Sequence, residues 1–191
     1  MRLYEYVETR DHVYIMMEAA ARGSLLDYVR DRKKLPEAEA VQIFQQLLHA
    51  LQFCHRKDVV HRDIKLENIL IDGGGRMRLI DFGLCGYYVA GKHLRCHCGS
   101  PSYAAPEIVA RKDYLGPPVD VWSLGVVLFA MLAGYLPFHA KEKRQLSEKI
   151  LAGVYKPAAW MSPAAQDLLS RMLALDPEQR ITLEQAWSHP W

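Results

Sequence analysis

Two short polar motifs, HRDIKLEN at residues 61–68 and DFG at residues 81–83, constrain the fold of this 191-residue chain most strongly. The stretch between them consists of two short apolar runs on either side of Gly73–Gly75. Short apolar runs joined by a glycine-rich turn are typical of a β-hairpin. The sequence therefore predicts that the chain turns back on itself and brings Asp81 beside Asn68. The two predicted strands are residues 69–72 and 77–80.

The residue types in these motifs suit the transfer of a phosphoryl group. Asp63 can accept the proton of a hydroxyl group, and Lys65 supplies a mobile cation for the migrating phosphate. Asn68 and Asp81 offer the hard oxygen ligands that Mg²⁺ prefers. The alternative is that the first motif is a surface turn and the second the end of a strand. Both motifs occur in order and at this spacing, which favours the phosphoryl-transfer interpretation.

The two motifs resemble the catalytic loop and the magnesium-binding motif of the protein kinases. A lysine two residues after Asp63 is the form found in serine/threonine kinases. The stretches DFGLC, CGSP and YAAPE are most similar to the calcium/calmodulin-dependent and AMP-activated group. The resemblance implies an enzyme that transfers the γ-phosphate of Mg-ATP to a Ser or Thr hydroxyl, with Asp63 as base. ATP and Mg²⁺ are the implied cofactors. The implied partners are a protein or peptide substrate and an upstream kinase or regulatory protein.

The resemblance also implies a mainly α (α+β) fold, namely the large C-terminal lobe of a protein kinase with the last two strands and hinge of the small lobe. Strand-like sequence at residues 3–9 and 12–17 fits this assignment, although an ordinary hairpin and linker is an alternative. In the family, backbone groups at Glu18 and Ala20 bind adenine, and Met17 limits the depth of the nucleotide pocket. The implied division is residues 1–17 for the small-lobe remnant, 18–23 for the hinge and 24–191 for the C-terminal lobe.

Further roles follow from the same resemblance. Ser100, near the end of the activation segment, is expected to contact Asp63 and Lys65, and Glu67 to belong to the peptide-binding surface. Arg180 is expected to pair with Glu107. Structural positions are implied for His61, Arg62, Glu107, Asp120 and Arg180.

Helical periodicity predicts the remaining elements. Pro36 is expected at the first position of a long helix whose buried face includes Val41, Phe44, Leu48 and Leu51 and is widened by Leu47, Ala50 and Cys54. Asp120 is expected at the start of a second, very apolar helix that ends near Ala133. Other helices are predicted at residues 25–32, 145–151, 163–173 and 182–187.

The longest uncharged run, residues 121–138, nearly reaches transmembrane length. It is interrupted by a serine, two glycines and a proline, so a buried core helix is the better interpretation. The formal charge of +2 comes from scattered basic residues, which gives no indication of a nucleic-acid or membrane partner. Four cysteines without a signal peptide predict reduced thiols and a cytoplasmic location, with the nucleus as an alternative.

The sequence departs from the kinase pattern in three ways. It contains no glycine-rich strand-turn and neither the phosphate-binding lysine nor its glutamate partner, so the chain resembles a fragment that is expected to be inactive by itself. Cys96 stands where relatives carry the activating threonine, which leaves Arg62 without a phosphate partner. Ser24 stands where kinases that prefer basic peptides often carry a glutamate, although Glu67 is retained. A non-catalytic kinase lobe that acts as a binding or regulatory module is therefore the alternative function.

The cysteines around the activation segment allow two interpretations. Cys96 is either tolerated without a role or is a modifiable thiol beside Arg62, Arg95 and two histidines. A zinc site formed by Cys96, Cys98 and these histidines is disfavoured, because four ligands within six residues leave no second arm to close a tetrahedron.

Overall fold

The computed structural model describes residues 2–191, which form a mainly helical chain with a few short strands, as the sequence predicted. The helices in chain order are α1 (Leu25–Arg32), α2 (Glu37–His55), α3 (Pro106–Val109), α4 (Gly116–Ala133), α5 (Lys143–Ala152), α6 (Pro163–Met172) and α7 (Leu183–Trp187). The strands are β1 (Leu3–Glu8), β2 (Val13–Met17), β3 (Val59–Val60), β4 (Ile69–Ile71), β5 (Met77–Leu79) and β6 (Gly86–Tyr87). Within the described residues the strands form three antiparallel pairs, β1–β2, β3–β6 and β4–β5.

Helix α4 forms the centre of the hydrophobic core. It is apolar on every side and is buried along nearly its whole length, and α2 and α6 pack against it. By length and composition it could cross a membrane, but 89 % of the relevant window is buried inside the protein, as in a core helix. It ends at Gly134, which has a φ of +84° and whose β-carbon, if present, would lie 1.8 Å from the Lys33 carbonyl oxygen. Only glycine fits this helix terminus.

The start of α4 differs from the sequence prediction. The helix begins at Gly116, so Asp120 lies inside it and not at its first residue. Two prolines follow Gly116 and are tolerated because the amide groups of the first turn need no helical acceptor. The carboxylate of Asp120 is therefore available for contacts outside the helix.

Helix α2 also begins later than predicted. Pro36 has an extended backbone and precedes the first helical residue, Glu37. The buried side of α2 includes the predicted Phe44, Leu47, Leu48 and Leu51, whereas the predicted Val41 is only partly buried. Ala40 and Ile43 are also buried, although the predicted face did not contain them. The wider buried side has a physical cause, since both α4 and α7 pack against this helix.

A buried ion pair connects α3 to the segment that precedes α7. Arg180 Nη1 donates to Glu107 Oε1 at 2.7 Å, and Nη2 donates to Oε2 at 3.0 Å. The same guanidinium donates to the carbonyl oxygens of Pro118 and Ala174 at 2.8 and 3.1 Å. Each charge is therefore compensated by hydrogen bonds, as a buried ion pair requires.

The β1–β2 hairpin is much less protected than the helices. Its large apolar side chains are exposed on both faces, and Tyr4 and Ile15, for example, are 63 % and 57 % exposed. Within the described residues these two strands pair only with each other. A two-stranded hairpin without a packed face is marginally stable in water.

We expect this difference to appear in native-state hydrogen exchange. Amides of β1 and β2 should exchange almost as fast as in an unfolded chain, whereas those in the middle of α4 should exchange only through global unfolding. Protection of residues 3–17 equal to that of α4 would contradict the expectation.

The Glu107–Arg180 pair predicts a large and specific loss of stability. Glu107→Gln keeps the side-chain shape but leaves the guanidinium buried without its counter-charge, so the free energy of unfolding should fall by about 3–5 kcal/mol in urea denaturation. The control Glu178→Gln makes the same chemical change at an exposed position and should change it by less than about 0.5 kcal/mol. Equal effects of the two variants would show that the pair contributes no special stability.

Candidate active site

The β4–β5 hairpin brings the two sequence motifs together. Ile69 pairs with Leu79, and the Ile80 amide donates to the carbonyl oxygen of Asn68 at 3.0 Å. Asp81 follows directly. The hairpin predicted from the glycine run is therefore present, and it positions the start of the second motif against the end of the first.

Asp72 stabilises the turn of this hairpin. Its carboxylate accepts the amides of Gly74 and Arg76 at 2.9 Å each and forms ion pairs with the side chains of Arg76 and Arg78. The backbone hydrogen bond from Arg76, together with the two guanidinium groups, lowers the pKa of Asp72 to about 2. The turn therefore keeps its charged acceptor at any physiological pH.

Asp63 lies at the centre of a hydrogen-bond network. Its side chain is 6 % exposed, and Oδ2 accepts from Lys65 Nζ at 2.7 Å and from Asn68 Nδ2 at 3.0 Å. Oδ1 accepts from the Ser100 amide at 3.0 Å and from its hydroxyl at 2.8 Å. Burial favours the neutral acid, but the hydrogen bonds from Lys65 and Ser100 outweigh it and lower the pKa of Asp63 below its ordinary value. Asp63 is therefore an ionised carboxylate at neutral pH.

Asn68, which contacts Asp63, and Asp81, which follows the hairpin, offer two oxygen groups that fit a magnesium ion. Asn68 uses its Nδ2 to donate to Asp63, and its Oδ1 accepts no hydrogen bond from the described residues. Asp81 is exposed, has a φ of +62° and accepts the Gly83 amide at 3.2 Å. A carboxylate and an amide oxygen are the hard ligands that Mg²⁺ takes in phosphoryl-transfer sites, so these donors fit the metal.

Asp120 of α4 holds the backbone of His61 and Arg62, at the start of the first motif, in place. Its carboxylate, which is fully buried, accepts the backbone amides of His61 and Arg62 at 2.9 and 2.8 Å and contacts His55 Nε2 at 2.8 Å. Arg62 has a φ of +65°, a left-handed conformation that non-glycine residues rarely adopt. His61, also buried, has its Nε2 3.0 Å from the Ile80 carbonyl oxygen, which links the loop to the hairpin.

The Arg62 side chain is occupied by groups that carry no negative charge. It donates to the carbonyl oxygens of Leu84 and Cys85 at 2.7 and 3.0 Å and lies 3.5 Å from the Tyr114 hydroxyl. Tyr114 in turn donates to the Cys96 carbonyl oxygen at 2.7 Å. Carbonyl groups and a phenol thus hold Arg62, and Cys96 itself is exposed.

The residues proposed as a hinge lie next to the hairpin. The amide of Arg22 donates to the Ile71 carbonyl oxygen at 3.1 Å, and the Ile71 amide donates back to Gly23 at 2.9 Å. The amide of Glu18 donates to the carbonyl oxygen of Arg2 at 2.8 Å, whereas the amide of Ala20 has no hydrogen-bond partner among residues 2–191. Met17 is half exposed at the end of β2.

A cavity of about 590 Å³ opens beside Ser100, between residues 66–67 and α1. One wall is formed by Leu66, Glu67 and residues 100–103, and the other by α1 together with the C-terminal end of α4. Tyr103 donates to Glu67 at 3.4 Å. The sequence prediction included Glu67 and Ser100 but missed Arg30 in α1 and Lys33 directly after it, because every exposed position in and around a helix gives the same polar signal.

Comparison with known proteins identifies the family. The protein kinase domain family matches residues 1–191. The chain is 44 % identical over its whole length to the probable serine/threonine-protein kinase MARK-A of Dictyostelium discoideum, 45 % identical to the serine/threonine protein kinase OSK3 of Oryza sativa subsp. indica, and 42 % identical to the serine/threonine-protein kinase SIK1 of Rattus norvegicus. It covers 18 %, 38 % and 25 % of these relatives, respectively. The chain therefore belongs to the protein kinase domain family.

Proposed function

We propose that this chain is the catalytic lobe of a protein serine/threonine kinase, which transfers the γ-phosphate of Mg-ATP to a Ser or Thr hydroxyl. The observation that carries the proposal is the environment of Asp63, an ionised and nearly buried carboxylate that contacts Lys65, Asn68 and Ser100. The similarity to serine/threonine kinases over all 191 residues supports the same conclusion.

Each residue of the site has a distinct chemical task in this proposal. Asp63 orients the substrate hydroxyl and accepts its proton, and Lys65 neutralises the charge that develops on the transferred group. Asn68 and Asp81 hold Mg²⁺, which when bound neutralises the charge of the phosphates. Ser100 keeps the activation segment against Asp63, so that the base and the peptide-binding surface stay together.

The proposed nucleotide site uses the segment before α1. The backbone of Glu18 and Ala20 binds adenine, and Met17 borders the pocket. The open amide of Ala20 supports this assignment, since it can donate to a ring nitrogen without breaking another bond. We accordingly divide the chain into residues 1–17 as part of a small lobe, 18–23 as the hinge and 24–191 as the large lobe.

The proposed partner is a protein or peptide with a Ser or Thr acceptor, in the cytoplasm or the nucleus. The cavity beside Ser100 supports a peptide-binding role, because its walls are mainly apolar and include the Glu67 carboxylate. Glu67 favours a basic residue in the substrate, but the cations Arg30 and Lys33 in the same cavity, and Ser24 in place of a glutamate, weaken this preference. An upstream kinase or regulatory protein remains part of the proposal, although the exposed Cys96 offers no hydroxyl for phosphorylation.

A second candidate, for these 191 residues taken by themselves, is a lobe that binds partners without catalysis. The 191 residues contain no glycine-rich turn and no corresponding lysine to orient the phosphates. Replacing Asp63 distinguishes the two candidate functions. A binding module keeps its affinity for the partner after this substitution, whereas an enzyme loses turnover.

We expect the polypeptide of residues 1–191, assayed by itself, to phosphorylate peptides below detection and to bind Mg-ATP only weakly. Adenine and metal contacts are retained, but each missing phosphate contact costs a factor of about 10² or more in rate. Calorimetry with Mg-ATP and a radiolabel transfer assay measure the two properties. Robust transfer that disappears in Asp63→Ala would show that the phosphates are positioned in another way.

A chimera that joins this lobe to the small lobe of MARK-A tests the residue roles. Asp63→Asn should lower kcat by about 10²–10⁴-fold with little change in folding, because the shape is kept and the base is lost. Asp81→Asn should instead weaken Mg-ATP binding. The control Asp11→Asn lies in the exposed β1–β2 turn and should leave both quantities unchanged. Peptide phosphorylation at the parental rate by Asp63→Asn would refute its role as base.

A further inference from the structure

The activation segment contains two cysteines, Cys96 and Cys98, that are separated by a single residue. Cys96 is exposed, and Cys98 is half-buried at the edge of a cavity of about 490 Å³ that His97 and Gly99 also line. Neither cysteine forms a disulfide bond. Small oxidants can therefore reach both sulfur atoms.

The two side chains interact with each other and with one cation. The Cys96 thiol is close enough to influence the ionisation of Cys98, and both lie near the guanidinium of Arg62, which contacts the Tyr114 hydroxyl that donates to the Cys96 carbonyl oxygen. Burial, and after it the neighbouring Cys96 thiol, raise the pKa of Cys98 above its ordinary value, although Arg62 opposes the effect. A nearby cation stabilises a thiolate, which is the reactive form of cysteine.

The backbone between the two cysteines allows them to approach. Residues 96–98 belong to no helix or strand. Among residues 2–191 they have two hydrogen-bonded groups: the Cys96 carbonyl oxygen, which accepts from Tyr114, and the His97 ring, which lies 2.8 Å from the Lys112 carbonyl oxygen. Residues i and i+2 are at most about 7 Å apart in a fully extended chain. A slight bend therefore brings the Cα atoms within the range of about 4.4–6.8 Å that a disulfide needs.

The flanking residues are held much more firmly. On one side, Leu94 and Tyr114 exchange two backbone hydrogen bonds of 2.8 and 3.1 Å. On the other side, Ser100 is bonded to Asp63. Gly99, with a φ of +110°, packs so closely on Arg62 that a β-carbon would lie 2.6 Å from the Arg62 carbonyl oxygen. Any bend at residues 96–98 therefore acts on Gly99 and on the contact between Ser100 and Asp63.

We propose that Cys96 and Cys98 form a reversible dithiol–disulfide site that responds to peroxides and alters the Ser100–Asp63 contact. The Cys96 thiolate attacks one oxygen of hydrogen peroxide, which gives a sulfenic acid and, after protonation, water. The Cys98 sulfur then attacks the sulfenic sulfur, forms the S–S bond and releases a second water molecule. In total, two thiols and one H₂O₂ give one disulfide and two H₂O. The proposal requires only the thiols and the loop, and does not depend on kinase activity.

The sequence provides a convenient readout. Trypsin cleaves after Arg95 and Arg111 and so releases both cysteines in one peptide, residues 96–111, whereas Cys54 and Cys85 fall in two other peptides. The chain is treated with increasing hydrogen peroxide under native conditions, alkylated, digested and analysed by mass spectrometry. We expect peptide 96–111 to escape alkylation and to become lighter by two hydrogen atoms at peroxide concentrations at least tenfold below those that oxidise Cys54 and Cys85. Dithiothreitol should restore both thiols.

Two variants serve as controls. Cys98→Ser removes the resolving thiol, so Cys96 should proceed to higher oxidation states and the species lacking two hydrogens should disappear. Cys54→Ser should change nothing in peptide 96–111.

Hydrogen exchange measures the coupling between the disulfide and the Ser100–Asp63 contact. The Ser100 amide should exchange at least tenfold faster in the oxidised chain than in the reduced chain. If both thiols of peptide 96–111 are still alkylated at a peroxide concentration that already oxidises Cys54 and Cys85, the proposed dithiol–disulfide site is refuted. A disulfide without faster exchange at Ser100 would overturn the coupling to Asp63.

Discussion

The buried carboxylate of Asp120 is the group on which the site geometry depends. A charge in the interior of a protein is tolerated only when hydrogen bonds compensate it. Asp120 emerges from the central helix and obtains this compensation from the amides of His61 and Arg62 and from the His55 ring. Both amides must face the helix, which forces Arg62 into its left-handed conformation. The core therefore determines the backbone direction at the next residue, Asp63.

The contacts of Asp63 extend this constraint to the rest of the site. Its two oxygens are shared among Lys65, Asn68 and Ser100, so the catalytic loop and the activation segment stabilise each other. Arg62 adds a second connection through the carbonyl oxygens of Leu84 and Cys85. The acceptors of these Arg62 bonds are neutral carbonyl groups.

Stability and function are distributed unequally along the chain. The helices around α4 bury a continuous apolar core, and the Glu107–Arg180 pair connects its edges. The β1–β2 hairpin exposes most of its apolar side chains, yet the proposed nucleotide contacts begin where it ends. The proposed base, Asp63, and the proposed metal ligands, Asn68 and Asp81, thus belong to the helical part of the chain. The proposed adenine contacts lie at the boundary of that part. Chemistry that depends on exact positioning of the phosphates needs both parts to be ordered.

The sequence by itself determined the family, the fold class, the site hairpin and most helices, because these follow from local signals: apolar periodicity, the glycine turn, and two motifs at fixed spacing. It misjudged the starts of α2 and α4, since proline is compatible with both the cap and the first helical turn. Only the tertiary structure decided what depends on distant partners: the burial of Asp120, the lowered pKa of Asp63 and the side-chain contacts of Arg62. Burial and electrostatics are sums over neighbours that are far apart in the chain, and no local pattern records them.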